Sequence, residues 1–408
     1  MTATRHTPDS RYAAWRLAIA VLIMTLGAAG MYVVPVALPT VQADFGIARG
    51  QAALPFSLLM LGFGFGGLMM GRLADRYGVT VPLLLGGTCI GVGFASAAFA
   101  PNIAVFNALH GVLIGFAGSS ATFAPMVADT SLWWVKRRGI AVAICASGNY
   151  IGGALWPPIM NASIEAFGWR PTYMGLGAVC GIAIVGLAFF MRERPPQHTP
   201  VANKAALHRD HERPFGLGVA SAVVLLMIAG LACCVAMSMP QVHIVAYCGD
   251  LGYGAARGAE MLSIMMAFGI VSRLASGWLS DHIGGLRTLL LGSALQGIAL
   301  VLFLPFDGMV QLYVISALFG LFQGGIVPSY AIIVREHFPA ARTGALVGAL
   351  MMSTLFGMAL GGWMSGAIFD ATGSYKAAFW NGIAWNALNL TIAFFLLRRT
   401  WLVARQPA

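Results

Sequence analysis

Twelve apolar runs separated by short polar turns make up almost the whole chain. A helix that crosses a bilayer needs about 20 consecutive apolar residues. Runs of that kind fall near 16–41, 53–74, 80–99, 103–128, 139–163, 171–191, 216–244, 258–280, 286–305, 309–335, 343–368 and 376–398. Within each run the apolar residues are nearly continuous. They do not alternate every second position, which excludes a membrane barrel. The first run is too long for a signal-peptide core and is followed at once by a second, so it is kept as a span. One connection stands apart. Residues 192–214 (RERPPQHTPVANKAALHRDHERP) are polar, basic and broken by proline, so they read as a linker outside the membrane. The pattern predicts an all-α membrane protein with an N-terminal bundle over 1–191, that linker, and a C-terminal bundle over 215–408.

Composition closes off the soluble classes. Of 408 residues, 59% are hydrophobic and 9% charged, with a mean hydropathy of +0.80. That leaves too little polar surface for a soluble domain. The net charge of +10 is explained by topology and does not call for nucleic acid. Nineteen of the 24 Lys and Arg residues fall in the termini and one set of loops, including Arg5, Arg11, Arg16, Arg72, Arg76, Lys136, Arg137 and Arg138. Arg49, Arg170, Arg257 and Lys376 lie on the other side. The positive-inside rule then puts both termini in the cytoplasm of a plasma (bacterial inner) membrane. The six cysteines are scattered, without ligand spacing or a disulfide framework. The 51 glycines suit close helix packing in lipid.

The two halves repeat. GRLADRYG at Gly71–Gly78 returns as GWLSDHIG at Gly277–Gly284. The basic turn Lys136–Gly139 has a counterpart near Arg342–Gly344. GNYIGG at Gly148–Gly153 matches GMALGG at Gly357–Gly362. Three landmarks in one order indicate duplication, giving two pseudo-symmetric six-helix bundles with a site between them near the midplane. The glycine–aspartate motif after the second span, echoed after the eighth, resembles the signature of the major facilitator superfamily. WWVKRRGIAVAICASGNYIGG (Trp133–Gly153), and Arg273 followed by Gly277 and Asp281, look like the patterns of monocarboxylate transporters and oxalate–formate antiporters. The resemblance covers essentially the whole chain. One departure stands out: Val79–Thr80 replaces the basic pair usual after Gly78.

Arg273 is the leading functional candidate. It reads as the only Lys, Arg, Asp or Glu deep inside a predicted span, and its repeat partner is Gly67. A charge at the bilayer centre is costly unless it faces water or a partner. A guanidinium keeps its proton and offers a planar fork that fits a carboxylate. The alternative is a structural arginine paired with helix-end carbonyls or an acid. Tyr32, Asn149, Tyr150, Gln323 and Tyr330 are further lining candidates, with helix–helix hydrogen bonding as the competing role. Gln323 and Tyr330, seven apart, share one helical face. His110 and His243 read as buried interhelical histidines or proton relays. The resemblance implies a latch on the cytoplasmic side. There Asp281 faces Arg137, Arg138 and the start of the fifth span, and Asp75 faces Arg342 and the start of the eleventh. Pro35, Pro39, Pro157, Pro158 and Pro328 are expected kinks, and Trp15, Trp133, Trp134, Trp380 and Trp401 an interfacial belt.

These residues predict a secondary transporter of a small organic anion by alternating access, with proton symport or anion exchange as the drive, and a monomer or weak oligomer. It is expected to use no cofactor and to be no enzyme, since neither an ATP-binding motif nor a catalytic constellation is present. A monocarboxylate is favoured over an oxalate-type dicarboxylate. In the resembling antiporters a second cation on the eleventh helix completes the site, and Thr343–Ile368 has no Lys or Arg. The resemblance also implies an acid one turn before the arginine as proton carrier, but that position is Gly269. A drug efflux permease would want an acidic residue inside a span, and none is read there.

Overall fold

The computed structural model describes residues 6–195, 214–339 and 342–404. Most of the 192–214 linker, and the basic residues Arg5, Lys204, Arg209, Arg213 and Arg405, lie outside them. An apolar run in lipid must satisfy its own backbone hydrogen bonds, so each becomes a helix. Among the described residues, twelve helices are long and apolar enough to cross a membrane. They are α1 (Arg11–Phe45), α2 (Arg49–Tyr77), α3 (Thr80–Ala98), α4 (Ile103–Trp133), α5 (Arg138–Phe167), α6 (Trp169–Met191), α7 (Val219–Asp250), α8 (Ala255–Ile283), α9 (Gly285–Leu302), α10 (Met309–His337), α11 (Thr343–Thr372) and α12 (Tyr375–Leu402).

The duplication shows in the turns. Gly78 and Gly284, which end the repeated motif, have φ of 85° and 84°. Both lie in the region that glycine enters without a Cβ penalty, so one turn is built twice. The seams repeat as well. A Cβ on Gly148 or Gly152 of α5 would lie 2.8 Å from the carbonyl oxygens of Val21 or Thr25 in α1. Gly357 and Gly361 of α11 meet the Leu231 and Val235 carbonyls of α7 in the same way. The GxxxG spacing therefore brings the first helix of each half backbone-to-backbone with the fifth. Likewise α2 crosses α4 at Gly62 and Gly66, and α8 crosses α10 where the Gly269 carbonyl abuts Gly324.

Three helices depart from regular winding. α1 is interrupted at Ala28. α4 is wound as a π-helix over His110–Ser119. α10 breaks at Gly324–Gly325, before its second segment Ile326–His337. Pro328 was the expected kink in that helix. The break falls one turn earlier, because proline cannot donate to the residue four before it, which is Gly324.

The described residues form two compact units. One takes in those up to residue 195 together with Val242–Ala267; the other takes in those from 214 to Gln241 and from Phe268 onward. The helices α7 and α8 are each shared between the two.

Candidate functional site

Arg273 lies ten residues from the end of α8, about 15 Å along the helix at 1.5 Å per residue. It is half-buried. Its neighbour Ser272 is buried at 3% exposure, and Ser272 and Ser276 lie where Cβ atoms on Gly324 and Gly325 of α10 would reach. Gly269, one turn before Arg273, sits at the same crossing. The position that the resemblance reserves for an acid is therefore used for close backbone approach between α8 and α10.

In the first unit the structure joins two of the predicted residues. The Tyr32 hydroxyl donates to Asn149 Oδ1 at 3.2 Å and also lies 3.2 Å from the Met266 sulfur. Asn149 Nδ2 donates to the sulfur of Met31 at 3.2 Å. Tyr150, next along α5, is half-buried. In the second unit, Gln241 Nε2 donates to Gln323 Oε1 at 2.8 Å. The Tyr330 hydroxyl donates to Asn389 Oδ1 at 2.8 Å, and Asn389 Nδ2 donates to Ser293 Oγ at 2.7 Å. Asn386 Nδ2 donates to the Ser293 carbonyl at 3.0 Å. Gln323 and Tyr330 are both fully buried. Their polar tips thus serve contacts between helices, the competing role for these residues.

His110 is also fully buried. Its Nδ1 pairs with the Phe106 carbonyl at 2.9 Å, and its Nε2 lies 3.4 Å from the Tyr173 hydroxyl. Aromatic rings of Phe106 and Tyr173 pack on it. His243 is buried in α7. The predicted latch residues stand at helix ends. Asp75 and Asp281 are exposed in the last turns of α2 and α8. Arg137, Arg138 and Arg342 are exposed at the starts of α5 and α11. The Asp9 carboxylate holds the turn before α5 by accepting from the backbone N–H groups of Val135 and Lys136, each at 3.2 Å.

Besides Arg273, read as the only charge deep inside a span, the structure buries a charged pair near helix ends. Arg16 Nε and Nη2 donate to Asp129 Oδ2 and Oδ1 at 2.8 and 2.9 Å, joining α1 to α4. Arg16 Nη2 also donates to the Met191 carbonyl at 3.2 Å. Arg16 and Asp129 are 2% and 3% exposed. The Arg16 guanidinium lies 5.1 Å from the ring centre of Trp133, which is itself buried at 1% and so is not part of the interfacial belt. Sequence reading counted Arg16 among the cytoplasmic charges at the start of the first span, and ended the fourth span at residue 128, one short of Asp129. Helices longer than the apolar runs carried both inside. The signal was an acid in VADT at the same depth as an arginine that begins an apolar run. Sequence reasoning also missed Gln241, Ser293, Asn386 and Asn389, single polar residues in apolar helices, and the bidentate pair Arg49–Asp250.

The twelve helices of the described residues that are long and apolar enough to cross a membrane, built as two repeats of one packing scheme, define a multi-pass membrane protein. The chain belongs to the Major Facilitator Superfamily, whose family model matches residues 20–311 and 261–407. It is 28% identical over 347 residues to the MFS-type transporter YcxA of Bacillus subtilis (strain 168), covering 83% of each chain. It is 27% identical over 323 residues to monocarboxylate transporter 13 of Bos taurus, covering 77% of this chain and 73% of the relative. Its fold resembles a peptide transporter POT crystallised with sulfate, with a TM-score of 0.74 at 13% identity over 96% and 95% of the two chains. It also resembles a bacterial homologue of the lysosomal transporter Spinster, with a TM-score of 0.73 at 15% identity over 98% and 100%.

Proposed function

We propose that this protein carries a small monocarboxylate across the plasma membrane by alternating access between two six-helix bundles (1–191 and 215–408), with the termini in the cytoplasm. Arg273 binds the carboxylate. The observation that carries this reading is a guanidinium ten residues inside the apolar helix α8, beside a crossing of glycine and serine backbones. A fixed cation there stabilises an anion strongly, because little water competes for it. The relatives named monocarboxylate transporters add support. Tyr32, Asn149 and Tyr150 supply polar edges for the rest of the substrate, while Gln323 and Tyr330 hold α10 against α7 and α12. Asp75 and Asp281 latch the cytoplasmic side onto the starts of α11 and α5.

One carboxylate per arginine follows from charge balance. α11 carries no Lys or Arg, and a second anionic group without a counter-charge is costly in a low dielectric. The buried acid Asp129 does not favour cationic drugs, since Arg16 already neutralises it.

A thermal-shift screen on purified protein tests the reading. Pyruvate, lactate and benzoate are expected to raise the melting temperature. A ligand at a hundred times its Kd stabilises the native state by about 2.7 kcal/mol. Their methyl esters are expected to leave it unchanged, and an equal response to the esters rejects the anion site.

A further inference from the structure

Arginines at the two ends of the first unit's helices are held differently. At the starts of α2, α6 and α8, Arg49, Arg170 and Arg257 each pair with a carboxylate, of Asp250, Asp44 and Glu260, at 3.0, 2.8 and 2.9 Å. Past the end of α6, Arg192 and Arg194 are exposed, and among the described residues neither forms an ion pair. Glu193, which stands between them, lies 3.9 Å from His6 Nε2 instead. The Arg192 guanidinium lies 4.6 Å from the ring centre of Phe189. Arg194 Nε lies 3.8 Å from where a Cβ on Gly78 would stand, at the turn into α3. Thr80 Oγ1 of α3 donates to the Met191 carbonyl at 3.0 Å and fixes that turn beside the end of α6. Phe189 and Phe190 are both exposed.

The second unit repeats the arrangement. The 206-residue offset carries Phe189 to Phe395 and Arg192 to Arg398. The Arg399 guanidinium lies 5.5 Å from the ring centre of Phe395. Phe394, Phe395 and Trp401 are exposed, and so is Arg398. Arg287, also exposed, follows Leu286 at the start of α9, and Leu286 packs in one apolar cluster with Leu397. Arg287 therefore stands at the same end of the unit as Arg398. Among the described residues, none of these three arginines forms an ion pair.

Exposed aromatic rings at the ends of spanning helices sit at the level of lipid headgroups. A guanidinium over such a ring is held by cation–π attraction, with its stem along apolar surface. Its planar fork is turned to whatever anion reaches it, and a phosphate fits that fork. Topology asks only for positive charge near the helix ends. It does not ask for arginine on phenylalanine at matching places in both repeats. An anionic headgroup complements this charge, whereas a zwitterionic one brings an ammonium group that the arginines repel. We propose that the ends of α6 and α12 are two matching sites for the headgroup of an anionic phospholipid. Arg192 and Arg194 form the first, and Arg398 and Arg399 with Arg287 form the second. The phosphate rests on the guanidiniums, and the acyl chains run along the exposed rings. This rests on the membrane-spanning architecture and not on the substrate.

Native mass spectrometry of the full chain in detergent, titrated with phosphatidylglycerol or phosphatidylcholine, counts the bound lipid. Wild type is expected to hold two phosphatidylglycerols at least about tenfold more tightly than phosphatidylcholine. Inorganic phosphate is expected not to displace them. R192Q/R194Q and R398Q/R399Q are each expected to weaken one of the two, about fivefold per arginine, the worth of one basic residue near an anionic surface. Wild-type affinity at both sites in either pair overturns the proposal. Displacement by inorganic phosphate also overturns it, because the sites then serve a free anion. The control R11Q/R335Q removes two other exposed arginines and is expected to keep both lipids. Loss of lipid there shows bulk charge at work and overturns the sites. Should a glutamine pair fail to fold, R192K/R194K/R398K/R399K decides. It keeps the charge but not the fork and is expected to weaken both sites about fivefold; unchanged affinity rejects the guanidinium sites.

Discussion

The seam between α3 and α6 and the seam between α9 and α12 hold equivalent places in the duplicated chain and are built from opposite chemistry. The first is dry. Gly91, Gly177 and Gly181 let the two backbones touch, and a Cβ on Gly177 would lie 2.7 Å from the Gly91 carbonyl oxygen. The second is polar. Ser293, Asn386 and Asn389 bridge the helices and draw in Tyr330 from α10. Gly87 occupies the place of Ser293 at the 206-residue offset that relates Gly71 to Gly277. Lipid supplies no hydrophobic drive between helices, so a seam must hold by close packing or by hydrogen bonds. At this seam the first half relies on close packing and the second on hydrogen bonds. Where the first unit does use charge, at Arg16–Asp129, it buries a complete pair at the helix ends.

Breaking that pair is the largest perturbation available. Arg16→Ala leaves the Asp129 carboxylate buried without its partner, and the expected loss is about 3–5 kcal/mol of stability. Replacing both residues together, by Leu and Asn, is expected to cost less than the single change, and thermal unfolding in detergent compares the two. Next comes the dry seam. Gly177→Leu forces α3 from α6 and is expected to cost about 1–3 kcal/mol by overpacking, whereas the same change at Gly175, which faces open space, is expected to be silent. The polar seam yields the smallest effect. Tyr330→Phe removes one interhelical hydrogen bond, worth about 0.6 kcal/mol and at most about 1.7, and substrate affinity is expected to hold. A large loss of affinity with stability intact would move Tyr330 from the scaffold into the site.

The contrast also explains what the sequence could and could not disclose. The scaffold was legible because it rests on repeated small-residue spacings. GxxxGG in two helices and the repeated Gly71–Gly78 motif marked the duplication, and the structure builds the same crossing and the same turn at both copies. Arg273 was legible because a charge in an apolar run is costly anywhere. The amide seam was not. Ser293, Asn386 and Asn389 are isolated polar residues on separate helices, and nothing in the spacing of any one helix says which other helix it meets. Arg16 and Asp129 were hidden by their position at the ends of apolar runs, where a solvated loop charge and a buried pair look alike. Arg49 and Asp250 lay among the loop charges counted for topology, and only the packing of the α7–α8 hairpin onto α2 brings them together.

The central claim is that the guanidinium of Arg273 receives the carboxylate. The most direct measurement is the apparent affinity for a monocarboxylate in proteoliposomes bearing wild-type protein, Arg273→Lys or Arg273→Gln. The fork geometry predicts a fall of at least about tenfold for lysine, which keeps the charge but loses the bidentate contact, and a greater fall for glutamine. Unchanged affinity in a folded Arg273→Gln protein would contradict it.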